Sequence, residues 1–266
     1  MFNFEDMKPI LLWQRIFPFG VLVFGILSGH SCQIKKVSYA GGENLKVIST
    51  AKYDTLTANL IKPWRDSVAK SMKDTIAYAD SAFLPGMPEG NLNHLVADLV
   101  KEEADRFLRD TFGYPTHLCL LNRGFLRNPL PKGYITERDL FEMMPFDNYL
   151  VFVKVGGATM DSILNEIRIA GGAVIAGLKM EIRKNEYFNA EIGGFKFDSR
   201  REYWIATSDY LLNYGDGFFS LKSAMIKVYT TKNIRDITRE GMKAETKQYG
   251  KLLYHNDKRI TLRKND

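Results

Sequence analysis

Cysteine is nearly absent, with only Cys32 and Cys119 in 266 residues. That excludes a disulfide framework and any cysteine-rich metal site. Cys119 lies in the apolar run Leu118-Cys119-Leu120-Leu121 and reads as a small buried hydrophobe. Histidine is scarce too, at His30, His94, His117 and His255. His94 and His117 stand alone in sequence and read as ordinary surface or core residues. Sustained charge of one sign is also missing. The net charge is +6, but Lys and Arg alternate with Asp and Glu, and only 257–264 is noticeably basic. A solvated terminal strand accounts for that stretch, so a nucleic-acid partner is not expected. With 45% hydrophobic and 26% charged residues, the chain has the composition of an ordinary globular protein.

Long apolar runs are missing except at the start. Lys8 and Arg15 flank Ile10-Leu11-Leu12-Trp13, an apolar run covers 16–27, and small residues lead to Ser31 and Cys32. A basic start, about 7–15 apolar residues and a small-residue exit describe a secretory signal, whereas a membrane span needs about 20. Cys32 resembles the modification site of a bacterial lipoprotein, although Gly29 and His30 depart from the usual aliphatic-small pair. Acylation there would anchor an exported protein in the cell envelope, at the periplasm or the cell surface. An ordinary secreted protein with a free cysteine is the other reading. The expected division is a signal over 1–32, a tether and linker helix over 33–84, and the main domain over 85–266.

Periodicity predicts a short strand at 45–50, a helix over 56–72 interrupted at Pro63, and a strand over 75–83. A helix over 91–111 follows, with Asn91 as its cap. Next come a strand at 118–121 and a short helix opened by Thr136, with Asp139 in the capping-box position. Beyond it the pattern gives a strand at 149–155, a Gly156-Gly157 turn and a helix over 158–170. Strands at 174–182 and 203–207 are separated by a Gly193-Gly194 turn. A strand at 225–230, a helix over 234–248 and a last strand at 259–262 complete the chain. Helices alternate with strands without a strict βαβ rhythm, which predicts a layered α+β domain with a mixed β-sheet flanked by helices.

The most suggestive stretch is Ala206-Thr207-Ser208-Asp209-Tyr210-Leu211, followed closely by Gly215-Asp216-Gly217-Phe218. Glycines on both sides of Asp216 let the chain bend tightly and bring its carboxylate close to a ligand, although alone this is also a common turn. Four other segments accompany it in order: Gly90-Asn91-Leu92 with Ala97-Asp98, Asn122 to Arg127, Ile135-Thr136, and Met144-Pro145-Phe146-Asp147-Asn148. Together they resemble the C-terminal, substrate-binding domain of the 5'-nucleotidase family, from about Pro85 to the last strand.

The resemblance implies a role for each matching residue. Phe146 and Tyr210 fall where the family sandwiches a nucleobase, a contact in which one aromatic face contributes roughly 1–3 kcal/mol. Asp216 falls where an aspartate accepts hydrogen bonds from ribose hydroxyls. Asn122 and Arg127 fall near the phosphate, for which a guanidinium is well suited. The family's loop runs Asn, three glycines, an aliphatic residue and Arg; here Arg123 and Phe125 replace two of those glycines. A bulky Phe125 is expected to narrow the phosphate pocket, while Arg123 would add a phosphate contact.

Family members hydrolyse phosphate esters with two metal ions held by an N-terminal metallophosphoesterase domain. Its Asp-x-His, Gly-Asn-His-Glu and Gly-His-x-His strings do not occur in this sequence. The resemblance therefore implies no cofactor in this chain, divalent metals on a separate metallophosphoesterase partner, and a recognition half that binds a nucleotide or nucleoside. Two rival readings remain: a cell-surface protein that only captures nucleosides or nucleotides, and a domain retained for protein contacts.

Overall fold

In the computed structural model the described residues are 54–213, 215–255 and 257–263. The expected export segment with Cys32, the tether and the strand at 45–50 lie outside them. The unit formed from Thr55 onward contains the following elements in chain order: α1 (Thr55–Ser71), β1 (Thr75–Ala79), α2 (Asn91–Phe112), β2 (Leu118–Leu121), β3 (Gly133–Thr136), α3 (Glu137–Met143), β4 (Tyr149–Gly156), α4 (Gly157–Ile169), β5 (Val174–Ala176), β6 (Leu178–Arg183), β7 (Glu186–Ile192), β8 (Phe195–Lys196), β9 (Glu202–Ser208), α5 (Asp209–Leu212), β10 (Ile226–Asn233), α6 (Ile234–Tyr249) and β11 (Ile260–Leu262).

A five-stranded mixed sheet, ordered β10-β4-β9-β2-β5, is the centre of the unit; β2 and β9 run parallel and its other pairs are antiparallel. Its side chains sort by the two-residue strand period. Cys119, Leu121, Phe152, Trp204 and Ala206 face one hydrophobic cluster, which α2 fills with Leu92, Leu95, Val96 and Leu99. Leu118, Leu120, Val151, Val153 and Ile205 face the other, which α4 fills with Met160, Ile163, Leu164 and Ile167. With both faces covered, these strands read as continuous apolar runs rather than as alternation. A four-stranded sheet, β11-β6-β7-β8, and the β1-β3 pair complete the mixed α+β fold.

Several sequence expectations need correction. Pro63 does not interrupt α1, which runs through it with no buried residue. The carbonyl of exposed Asn59, which loses the Pro63 partner, is where water can reach it. The strand expected over 75–83 ends at Ala79, and Phe83 keeps only an isolated bridge to Leu130. Gly90, not Asn91, is the N-cap of α2; the Asn91 amide instead binds the Leu84 N–H at 2.6 Å and the Ala82 carbonyl at 3.0 Å. Helix α4 starts directly at Gly157 without an intervening turn.

The run at 174–182 is two strands in different sheets, broken at Gly177. That residue has φ +81°, and a Cβ there would lie 2.5 Å from the His117 carbonyl oxygen. Strand β7 was not expected, because most of Glu-Tyr-Phe-Asn-Ala-Glu-Ile is exposed and its pattern lacks a clean apolar face. The Thr136 capping box is present as expected, with Asp139 accepting the Thr136 N–H at 2.7 Å. Among the described residues no helix is long and apolar enough to cross a membrane.

Candidate nucleotide-recognition site

Strand register brings the expected site residues to one end of the central sheet. β2 and β9 are parallel, with Leu118 opposite Ile205 and Cys119 opposite Ala206, so their C-terminal ends finish at the same level. β4 is antiparallel to β9, with Leu150 opposite Ser208, and therefore begins at that level. Asn122 follows β2, Phe146 precedes β4, and Tyr210 and Asp216 follow β9. The start of α6 joins them, because Asn233 pairs with Tyr149.

Asp216 has φ +53°, one of two positive values among the described non-glycine residues, and its side chain is exposed. Aspartate tolerates this left-handed region better than most residues. Asn122 is 5% exposed, and its Nδ2 donates to Asp216 Oδ2 at 2.8 Å. That bond joins two loops 94 residues apart in sequence. The Asn122 Oδ1 is buried and has no hydrogen-bond partner among the described residues.

Tyr210 stands at the start of α5, which Ser208 caps by accepting the Leu211 N–H at 3.1 Å. Asp209 Oδ1 accepts the N–H groups of Tyr210 and Tyr149, both at 2.9 Å, and so ties the start of β4 to this turn. The Tyr210 ring lies over Gly215, where a Cβ would come within 2.3 Å of its Cε1. Gly215 is thus required by close approach; about half of the Tyr210 side chain stays exposed.

Phe146 is exposed to a similar degree, and the Arg127 guanidinium lies 5.1 Å from its ring centroid, within cation–π range. The Arg127 N–H donates to the Met143 carbonyl at 2.8 Å. The 122–127 loop is therefore the bridge of the site, touching Asp216 through Asn122 and Phe146 through Arg127. No ring contact joins Phe146 to Tyr210 among the described residues.

Phe125 does not narrow the site as expected. Its side chain is 2% exposed and packs in the core beneath the loop, while Arg123 is exposed. The turn can therefore present its backbone with only one glycine, because the bulky residue points inward. Gly124 lies against the Asn122–Asp216 pair, and a Cβ there would meet both at an ordinary 3.5 Å.

The sequence reading missed Arg235, a buried residue at the start of α6 that reaches the Phe146 turn. Nothing in sequence separates it from the other cations of the chain. The remaining candidates for chemistry are structural. His117 Nδ1 accepts the Trp204 N–H at 3.0 Å, so its proton is on Nε2, and burial holds its pKa below the usual histidine value. Burial pushes the Cys119 thiol up to about 12, which leaves it inert. Among the described residues no group of three or more His, Cys, Asp or Glu side chains is arranged to hold a metal ion.

Residues 75–223 match the family described as 5'-nucleotidase, C-terminal domain. Among curated proteins the chain is similar to the 5'-nucleotidase of Vibrio cholerae, 22% identical over 70% of this chain and 34% of that protein. It is also similar to the apyrase of Aedes aegypti, 25% identical over 46% of this chain and 25% of that one. The chain thus spans about a third or less of the length of these relatives. Among solved structures, a 5'-nucleotidase precursor from Thermus thermophilus superposes with a TM-score of 0.66 at 22% identity, covering 79% of this chain and 44% of that one. At that identity the likeness shows the fold.

Proposed function

Because the chain belongs to the family of 5'-nucleotidase C-terminal domains, we propose that it is the nucleotide- or nucleoside-recognition half of a split 5'-nucleotidase. The base stacks between Phe146 and Tyr210. Asp216, oriented by Asn122, accepts the ribose hydroxyls, and Arg127 offers its guanidinium to the phosphate from beside Phe146. A separate metallophosphoesterase chain supplies the divalent metals, which when bound stabilise the attacking and leaving oxygens of the phosphate ester. This chain contributes binding and orientation, which convert the encounter of ester and water into a positioned event.

The observation that carries the reading is the Asn122–Asp216 bond, which presents an exposed left-handed carboxylate at the sheet end that also carries Phe146 and Arg127. The chain is exported and held in the bacterial cell envelope through a lipid on Cys32; the sequence around 16–32 supports this. A Cys32→Ser chain that still partitions with membranes would remove that anchor.

The test of function is calorimetric titration of the mature chain with adenosine and AMP, paired with a nucleotidase assay with and without an exported metallophosphoesterase. Binding of both ligands, with turnover only when the partner is present, is the expected result. Metal-dependent turnover by this chain alone would sink the split. Binding with no gain in hydrolysis from any partner would favour a nucleoside-capturing surface lipoprotein.

A further inference from the structure

We propose that Arg235 is a positioning residue, which holds the 144–147 turn so that Phe146 stands out to meet a base. Among the described hydrogen bonds, the main chain of Pro145, Phe146 and Asp147 makes none to other backbone. The polar ties of this turn come from the start of α6. Arg235 Nη1 donates to the Met144 carbonyl at 2.9 Å and, at 3.5 Å, to the Phe146 carbonyl. Its Nη2 donates to Asp147 Oδ1, which also accepts the Asn233 amide at 3.3 Å. The Ile234 N–H holds the far side of the turn through the Asn148 carbonyl at 2.9 Å.

The guanidinium is fixed before any ligand arrives. Its carbon lies 4.1 Å from the Phe141 ring centroid, on the last turn of α3, and the residue is 8% exposed. The Met144 carbonyl it binds belongs to the C-cap of that helix, where a cation is favoured. A guanidinium carries five N–H donors. Among the described residues its side-chain bonds go to this one turn, while Nε is buried with no partner. The side chain is thus committed to the turn rather than spread over the neighbourhood. A lysine could give one of these bonds but not the fork.

The functional half of this inference rests on the nucleoside reading above; the structural half rests on contacts alone, and the experiment separates them. Chymotryptic cutting of the native, ligand-free chain reads the structural half. Arg235→Gln should speed cutting after Phe146 by about tenfold or more, with cutting after the equally exposed Tyr210 changed less than about twofold. Arg235→Lys should fall between, which keeps the test open if the glutamine variant folds poorly. Wild-type rates at Phe146 in both variants would overturn the anchoring.

Adenosine titration reads the functional half. Arg235→Gln should lose about as much affinity as Phe146→Ala, roughly tenfold, and the double variant little more than either. Fully additive losses would overturn the claim that Arg235 acts through Phe146. Wild-type protein that binds neither adenosine nor AMP would sink the nucleoside reading, and the protease result would still decide the anchoring.

Discussion

Glu89 and Asp216 each lie beside a glycine, yet among the described residues Glu89 accepts three hydrogen bonds within the fold and Asp216 accepts one at its surface. Glu89 Oε2 takes the N–H groups of Arg259 and Ile260, at 2.9 and 3.0 Å, and faces His94 Nε2 at 3.2 Å. Nearby, Arg259 is 5% exposed and binds the Ile175 carbonyl at 2.6 Å, Asp98 at 2.7 Å and Asp257 at 3.0 Å. This cluster fastens β11 to α2 and leaves little for a ligand to do. Among the described residues Asp216 has one bond, from Asn122, and its side chain is exposed. The comparison separates two uses of charge: groups satisfied inside the protein hold it together, and groups held by a single orienting bond are available for recognition.

Breaking the first region should cost stability and spare affinity. Arg259→Met removes the partner of Asp98 and Asp257. Losing one member of a buried ion pair costs about 3–5 kcal/mol, and the partial exposure of both aspartates places this loss near 3 kcal/mol. Urea unfolding should show that loss, while adenosine affinity of the folded variant stays within about twofold. A large fall in affinity without a change in stability would reverse the assignment of the two regions.

Damage to the second region should do the opposite. Asp216→Asn keeps the left-handed backbone but loses the charge, and a hydrogen bond to a charged group is worth about 1.5–3 kcal/mol. Adenosine affinity should therefore fall roughly ten- to a hundredfold, with unfolding shifted by less than about 0.5 kcal/mol. The same change should leave 2',3'-dideoxyadenosine binding untouched; equal losses for both ligands would take the ribose away from Asp216. Phe146→Ala and Tyr210→Ala should each weaken adenosine binding about tenfold, as expected for one lost stacking face. Unchanged affinity in both would leave no base clamp.

Most of the central sheet was legible because β2, β4 and β9 bury both faces. Leu118 to Leu121 and the runs in β4 and β9 are apolar enough to announce themselves, and α2 and α4 carry helical periodicity. Elements that escaped are those whose residues do not contrast with their surroundings. β7 is mostly exposed, and the break at Gly177 depends on how close the His117 carbonyl comes, a tertiary fact. At the site, Asp216 and Tyr210 were marked by a motif and its glycines. Phe125 misled because sequence gives its size but not its direction, and the core, not the pocket, receives it. Arg235 and the Asn122–Asp216 bond were invisible, since each is made by residues some 90 positions apart.

The smallest expected effect is a pH dependence confined to the first region. Both nitrogens of His94 face acceptors, Glu89 Oε2 at 3.2 Å and the His255 carbonyl at 3.1 Å, so the geometry suits a doubly protonated ring. Burial alone would lower the His94 pKa; the Glu89 hydrogen bond and the His255 carbonyl outweigh it and leave it raised. Burial would likewise raise Glu89, but the His94 bond and two N–H donors hold it below the usual carboxylate value. A raised histidine pKa contributes stability that is complete below its unfolded value near 6.5 and lost as pH rises through the folded value. A lowered glutamate pKa contributes stability that is complete above about 4.3 and lost as pH falls through the folded value. Stability from this pair should therefore plateau in mildly acidic buffer and decline toward alkaline pH. His94→Gln should flatten the alkaline decline in urea unfolding measured from pH 5 to 8. Among the described residues no hydrogen bond or ion pair joins Glu89 or His94 to Asp216, so adenosine affinity should not follow that curve. An affinity that tracks it would couple the two regions that the hydrogen bonds keep apart.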